Sequence, residues 1–381
     1  MAGLRPTWRA CSLMRARGET VETGSSREAR FRGLKSTVLS VFERLRSGAE
    51  RHYASGRLKK VLDYLWPALG LVAVIASLYL LSKEFRSESL GGEVWAALKA
   101  IPPHRYLLAG FGTLLAYAAL AWYDRIALLH LGVTHISWRF ISLCSFTTYA
   151  LSHNIGASMF SGAVVRYRAY SSNGLSAAQI AMLVVLCSYT FGFGCVLLGG
   201  ALLSWDPGLM QRLSGFLPDI LTNPHTARAV GLVCLSGVVL YVIGSLMHFK
   251  PLHIGSFEIV YPRPGVMVQQ LFAAPLELIG AGSIIYFALP EVGNPGFAVV
   301  LGAFVLSFSV ALVSHAPGGL GVFELLFIKL TPDAPQVQVL AALLVWRLFY
   351  LIAPLLFALG VVVIFERKRL AEALLRRAHH Q

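Results

Sequence analysis

The chain has 381 residues, 56% of them hydrophobic and only 14% charged, with a mean hydropathy of +0.64. That balance excludes a water-soluble globule and points to an integral membrane protein, because an ionised side chain at the centre of a membrane helix costs about 2.5 to 3.5 kcal/mol. The formal charge of +14 lies mostly outside the apolar runs and so reports topology; with no aromatic interleaving in the basic stretches, it does not report nucleic-acid binding.

Residues 1–60 hold fourteen Lys or Arg against five Glu and read as a basic cytoplasmic tail. No secretory signal opens the chain, since the first long apolar run begins only near Leu62. Within the tail, "RFRGLKSTVLSVFERLRSG" sets Leu34, Val38, Val41, Phe42 and Leu45 on one helical stripe, with Arg30, Lys35, Arg44 and Arg46 around it. This is the pattern of an interfacial helix drawn to anionic lipid; a mitochondrial transit peptide is the competing reading, disfavoured by the glutamates.

A membrane crossing needs roughly 20 apolar residues. Eight stretches qualify: 62–82, 105–123, 138–155, 177–204, 228–248, 267–289, 296–314 and 336–365. They define an all-α transmembrane domain over 61–366, followed by a second basic tail over 367–381. Eight crossings put both termini on one side, and the basic tails make that side cytoplasmic. The last run exceeds one straight crossing, and Pro354 is expected to kink or tilt it. Five cysteines, Cys11, Cys144, Cys187, Cys195 and Cys234, show no metal-ligand spacing and read as small core residues.

Two segments resemble each other. "ALSHNIG" at 150–156 ends the third span and "LVSHAPGG" at 312–319 ends the seventh; each is apolar helix, then Ser-His, then glycine. The chain is therefore expected to contain two related four-helix halves, with Ser152-His153 and Ser314-His315 at corresponding places. Re-entrant segments are expected after the third and seventh spans, over 156–176 and 317–331, because broken helices at membrane depth line polar paths. An ordinary helix end with a turn is the competing reading.

These residues carry a family resemblance. "SHNIG" with "SGAVVRYRAYSSNGLS", "SHAPGGLGVFE", Tyr123-Asp124 and the "WRLFYLIAPL" of the last span resemble the membrane domain of the lysylphosphatidylglycerol synthase and flippase family. That family includes MprF-type enzymes and stand-alone YbhN-like proteins, and the likeness runs over about 62–366. The resemblance implies a lipid translocase of the bacterial inner membrane that moves a phospholipid or head-group-modified lipid between leaflets. It also implies homodimers and, for an aminoacylated lipid, a separate lipid-modifying enzyme. The chain ends soon after its last span, so no transferase activity is expected. In "AAPLELIGAG" Glu277 stands where relatives often carry aspartate followed by Trp.

The residues fit such a track. Arg166 and Arg168 offer planar donors suited to phosphate, with snorkelling to the interface as the alternative. His153 and His315 are candidates to bond a head group or to titrate near neutral pH, or else to cap helix ends. Ser152 and Asn154 flank His153 as natural caps, and Ser314 stands beside His315 on the same expected path. Asp124, Glu277, Glu324 and Arg347 are ionisable within or against spans, and Arg347 is expected to pair with Glu324 or Glu277. Gly318, Gly319 and Gly321 permit close backbone approach, toward phosphate or toward another helix. No cofactor is expected: there is no G-x-x-x-x-G-K loop and no HExxH. Two other readings are carried, an intramembrane hydrolase with Ser161 as nucleophile and His315 as base, and a membrane scaffold without transport.

Overall fold

The computed structural model describes residues 88–155, 158–215, 217–247, 252–254, 257–259, 261–314 and 319–364. The chain divides after Leu58 into two units, and all of these residues belong to the second, Lys59–Gln381. The expected interfacial helix, the 62–82 span, Cys11 and the C-terminal tail fall outside them.

Helix boundaries follow local chemistry. The helix α1, Glu88–Ala100, precedes α2, Pro103–His130, which starts on a proline whose missing N–H is harmless in a first turn. Next come α3, Trp138–Ile155, and α4, Ser158–Ser171. Helix α5, Ala177–Trp205, opens on a capping box: Gln179 N donates to Ser176 Oγ at 3.3 Å, and Ser176 N donates to Gln179 Oε1 at 2.9 Å. A 3-10 segment, Pro207–Leu213, leads to α6, Pro224–Leu246, capped by Asn223. Helix α7 is Pro264–Ala288, α8 is Phe297–Val313, α9 is Val322–Leu330 and α10 is Gln336–Ile364.

The element order repeats. A long helix, a helix of intermediate length, a short helix and a second long helix occur as α2–α5, with 28, 18, 14 and 29 residues. They recur as α7–α10, with 25, 17, 9 and 29. At 1.5 Å per residue, α4 and α9 reach about 21 and 13 Å, short of a hydrocarbon core of about 30 Å.

Against the eight crossings expected, five described helices are long and apolar enough to span: α2, α5, α6, α7 and α10. Helix α8 is apolar but has 17 residues. Helix α3 is not among the five; it carries five Ser or Thr together with Arg139, His153 and Asn154, which dilute its hydropathy. Three of its hydroxyls turn to backbone, those of Ser145, Thr147 and Ser152, with Ser145 Oγ donating to Leu120 O of α2 at 3.0 Å. Among the described residues the regular structure is helical apart from a two-stranded antiparallel ladder, Leu252–Ile254 with Phe257–Ile259, where the sequence reading placed no strand.

Helices α2 and α7 form the most extensive helix contact. Small residues make it so. A Cβ added to Gly280 would lie 2.7 Å from Ala116 N and 2.9 Å from Gly112 O, so the two backbones touch. Around this pair the core is built from aromatic side chains, Tyr123, Tyr350, Phe304, Phe323 and Trp346 among the largest fully buried.

The expected effect of Pro354 takes a specific form. Helix α10 passes through a π-helical turn, Arg347–Ile352. Pro354 has no N–H for Tyr350 O, the carbonyl four residues back, and that oxygen instead accepts the Tyr117 hydroxyl of α2 at 3.0 Å.

Candidate functional site

Asp124, near the C-terminal end of α2, is fully buried. Arg166 of α4 reaches it as a fork, with Nη2 2.6 Å from Oδ1 and Nε 3.3 Å from Oδ2. The Tyr170 hydroxyl donates to Oδ2 at 3.1 Å and the Cys187 thiol to Oδ1 at 3.3 Å. Four donors on two oxygens satisfy an ionised carboxylate, which is what a buried charge needs to persist. Gly162 allows α4 to lie this close to α3: a Cβ there would meet Thr148 Cγ2 at 3.2 Å and Arg166 Nη1 at 3.3 Å. The face of the Arg166 guanidinium covers the Tyr149 ring, 4.9 Å from its centroid.

Glu277, in the middle of α7, is equally buried but differently served. Its Oε1 accepts the Tyr350 hydroxyl at 2.6 Å, while Oε2 has no protein partner. Tyr350 stacks on His153 at 5.3 Å between centroids, planes 21° apart, and His153 lies 5.6 Å from Tyr149. His153 Nδ1 is also buried without a partner. Next to it Asn154 donates to Ala150 O at 2.8 Å and across to Leu351 O, in the π turn of α10, at 3.1 Å. Ser152 Oγ donates back to Tyr149 O at 3.4 Å.

Arg347 pairs with Glu324 and not with Glu277. Its Nε lies 2.6 Å from Glu324 Oε1, which also receives Nη2. Glu324 Oε2 accepts Gly321 N at 2.9 Å, so one carboxylate fixes both the start of α9 and the arginine. Gly321 and Gly319 have positive φ, +79° and +66°, the backbone that a side chain would strain. Ser314 Oγ donates to Ala311 O at 2.7 Å. Arg168 is exposed at the end of α4. His315 and Gly318 lie outside the described residues, as does the side chain of Ser161, and with them the hydrolase pairing.

The arrangement joins Asp124, Arg166, His153 and Glu277, which the sequence reading named singly, through Tyr149 and Tyr350, which it did not name. Asp124, Arg166, Tyr149, His153, Tyr350 and Glu277 form one continuous line of contacts from α2 through α4, α3 and α10 to α7. Tyr350 also stacks on Trp346, and Trp346 on Phe323, the neighbour of Glu324. Missed in the sequence were Tyr149, Tyr170, Cys187 and Tyr350 as partners, and a second polar chain. There Tyr241 donates to Gln270 Oε1 at 2.7 Å, and Gln270 Nε2 to Thr190 Oγ1 at 3.0 Å. The Gln269-Gln270 pair in a membrane helix was the available signal. Among the described residues no three His, Cys, Asp or Glu side chains are grouped to hold a metal.

No protein-family model matches the chain. An uncharacterized protein of Synechocystis sp., slr0712, is 32% identical over 260 residues, 67% of this chain and 79% of its own length. Inner membrane protein YbhN of Escherichia coli is 28% identical over 314 residues, 81% of this chain and 92% of its own. Phosphatidylglycerol lysyltransferase of Staphylococcus haemolyticus is 26% identical over 317 residues, 80% of this chain but 34% of that enzyme.

Proposed function

The chain belongs to the family of YbhN-like proteins and MprF-type membrane domains, and from that premise we propose that it is a lipid translocase, moving an anionic phospholipid or a head-group-modified derivative between leaflets. One observation carries the reading: an ion pair and a further carboxylate, all buried, sit on one line of contacts inside an apolar helical bundle. Ionisable groups at such depth are expensive and mark transport paths more often than they serve as mere architecture.

A phosphate head group crossing the core needs donors that replace its water. On this reading the two Ser-His helix ends, Ser152-His153-Asn154 and Ser314-His315 with Gly318 and Gly319, flank the path in re-entrant segments. Arg168 meets the head group at the surface, Asp124–Arg166 holds the short helix α4 against α2, and Glu324–Arg347 holds α9 and opens to the passing head group. The relatives support a lipid as the cargo: one of them is named for lysyl transfer to phosphatidylglycerol, a membrane phospholipid. Placement in the bacterial inner membrane with both termini cytoplasmic, assembly as a homodimer and supply of the lipid by a separate modifying enzyme belong to the same proposal.

The test is leaflet exchange of fluorescent phospholipids in liposomes containing the purified protein, wild type beside Arg168→Ala and His315→Ala. Exchange well above that of empty liposomes, reduced at least fivefold by either substitution in folded protein, is the expected result. Exchange no faster than in empty liposomes, with or without a pH gradient or membrane potential, would overturn the proposal.

A further inference from the structure

Six buried side-chain polar atoms among the described residues lack a protein partner, and two of them belong to titratable groups that share one aromatic ring. Glu277 Oε2 is one and His153 Nδ1 the other. Tyr350 lies between these groups, stacked on the imidazole and donating its hydroxyl to Glu277 Oε1. The contrast with Asp124 is chemical. Asp124 has four donors for two oxygens, as an ionised carboxylate requires, whereas Glu277 has one donor and a bare oxygen. A carboxyl group with one bonded and one bare oxygen is complete when a hydrogen sits on the bare one.

Among the described residues no cation is bonded to Glu277. Tyr117 and Tyr123 face Glu277 from α2, Cys195 from α5 and Tyr350 from α10, none of them a cation. His153 faces Tyr149 of its own helix, Phe308 of α8 and Tyr350 of α10. The cation beyond Tyr149, Arg166, is already matched by Asp124.

We propose that Glu277 and His153, joined through Tyr350, form a proton-binding site that couples lipid movement to protons. The inference deepens the translocase reading and rests on it. In the arrangement described, the proton is on Glu277 Oε2, and it is gained and lost by way of His153 Nδ1, the unpartnered atom of the imidazole stacked on Tyr350. Binding adds one proton and one positive charge to the site; release returns both to water on the side to which the site opens. No other reactant is needed. The site also joins the two repeated sets of helices, since His153 ends α3 while Glu277 and Tyr350 lie on α7 and α10. A relative shift of the two sets would change what Oε2 and Nδ1 face.

Two measurements test this and separate it from the parent reading. In the first, phospholipid exchange is recorded in liposomes at a series of pH values and with an imposed pH gradient. Wild-type exchange is expected to change by up to about tenfold per pH unit over the responsive range, the change in proton activity itself. Glu277→Gln keeps an acceptor for Tyr350 but cannot take a proton, and its exchange is expected to vary less than about twofold over the same range. His153→Gln, which leaves the Glu277–Tyr350 bond in place, should flatten the profile in the same way. Wild-type exchange that ignores pH and gradient overturns proton coupling while leaving translocation standing. In the second, the infrared carbonyl absorption of a protonated carboxyl is sought in wild type and Glu277→Gln, with no lipid transport required. A band present in wild type and missing from the variant supports the site even if no tested lipid moves. Identical spectra overturn it.

Discussion

Arg166 and Asp124, 42 positions apart, meet as a two-armed pair with both side chains buried, 4% and 0% exposed. The pair fixes α4 to α2, and removing one partner strands a charge. Arg166→Ala is expected to lose about 3 to 5 kcal/mol of stability. The double variant Asp124→Leu with Arg166→Met, which removes both charges, should recover most of that loss. Thermal unfolding of the purified protein in detergent checks both. If Arg166→Ala melts with the wild type, the pair does not hold the short helix.

Asn154 links the end of α3 to the π turn of α10 through Leu351 O. The bond is long-range and buried, so Asn154→Ala leaves a carbonyl without its donor and should lower stability by about 1 to 3 kcal/mol. Asn154→Asp should be worse, because it offers an acceptor to two carbonyls. Protease sensitivity of the α3–α4 connection, compared with wild type, reads the effect locally. Equal sensitivity in all three proteins would show that the bond contributes nothing.

How much of this was legible depends on the kind of signal. Apolar runs announced α2, α5, α6, α7 and α10, since a spanning helix must be apolar over most of its length. The Ser152-His153 end of α3 was readable because such polar pairs are rare in an otherwise apolar run. Helix α1 was not: the Gly91-Gly92 pair and Glu93 break its apolar pattern, and it forms by packing against α10. The partners of Asp124 were hidden as well. Cys187 and Tyr170 look like ordinary core residues, and only the approach of α4 and α5 to α2 turns a thiol and a phenol into donors. Arg347 had two acids to choose from, and the choice of Glu324 follows from where α9 packs, which periodicity does not encode.

The α2–α7 contact makes a steric prediction. A methyl on Gly280 would sit 2.7 Å from Ala116 N, a backbone atom that cannot step aside. Gly280→Ala should therefore cost about 1 to 3 kcal/mol and Gly280→Leu should prevent folding. Gly237, in α6 with nothing within 4 Å of an added Cβ, is the control: Gly237→Ala should be neutral or stabilising by about 0.5 to 1 kcal/mol. Thermal unfolding of the two alanine variants, measured side by side, decides whether backbone contact holds the central helices. Two equal curves would sink that account.

Glu324 spends both oxygens, one on Arg347 and one on the backbone N–H of Gly321. Glutamine there can serve one of these donors but not both, and alanine serves neither. Arg347 is 3% exposed, so Glu324→Ala should cost about 3 to 5 kcal/mol, and Glu324→Gln less, because one acceptor survives. The informative variant is Glu324→Leu with Arg347→Met, which replaces the pair by apolar volume and should regain most of the lost stability. Stability and lipid exchange then part company. A purely architectural pair predicts that the double variant melts near wild type and exchanges lipid at the wild-type rate. A pair that must open to pass a head group predicts a stable protein with exchange reduced at least fivefold. The second outcome is expected, because an apolar pair holds α9 in place but gives a phosphate nothing to bind as it passes.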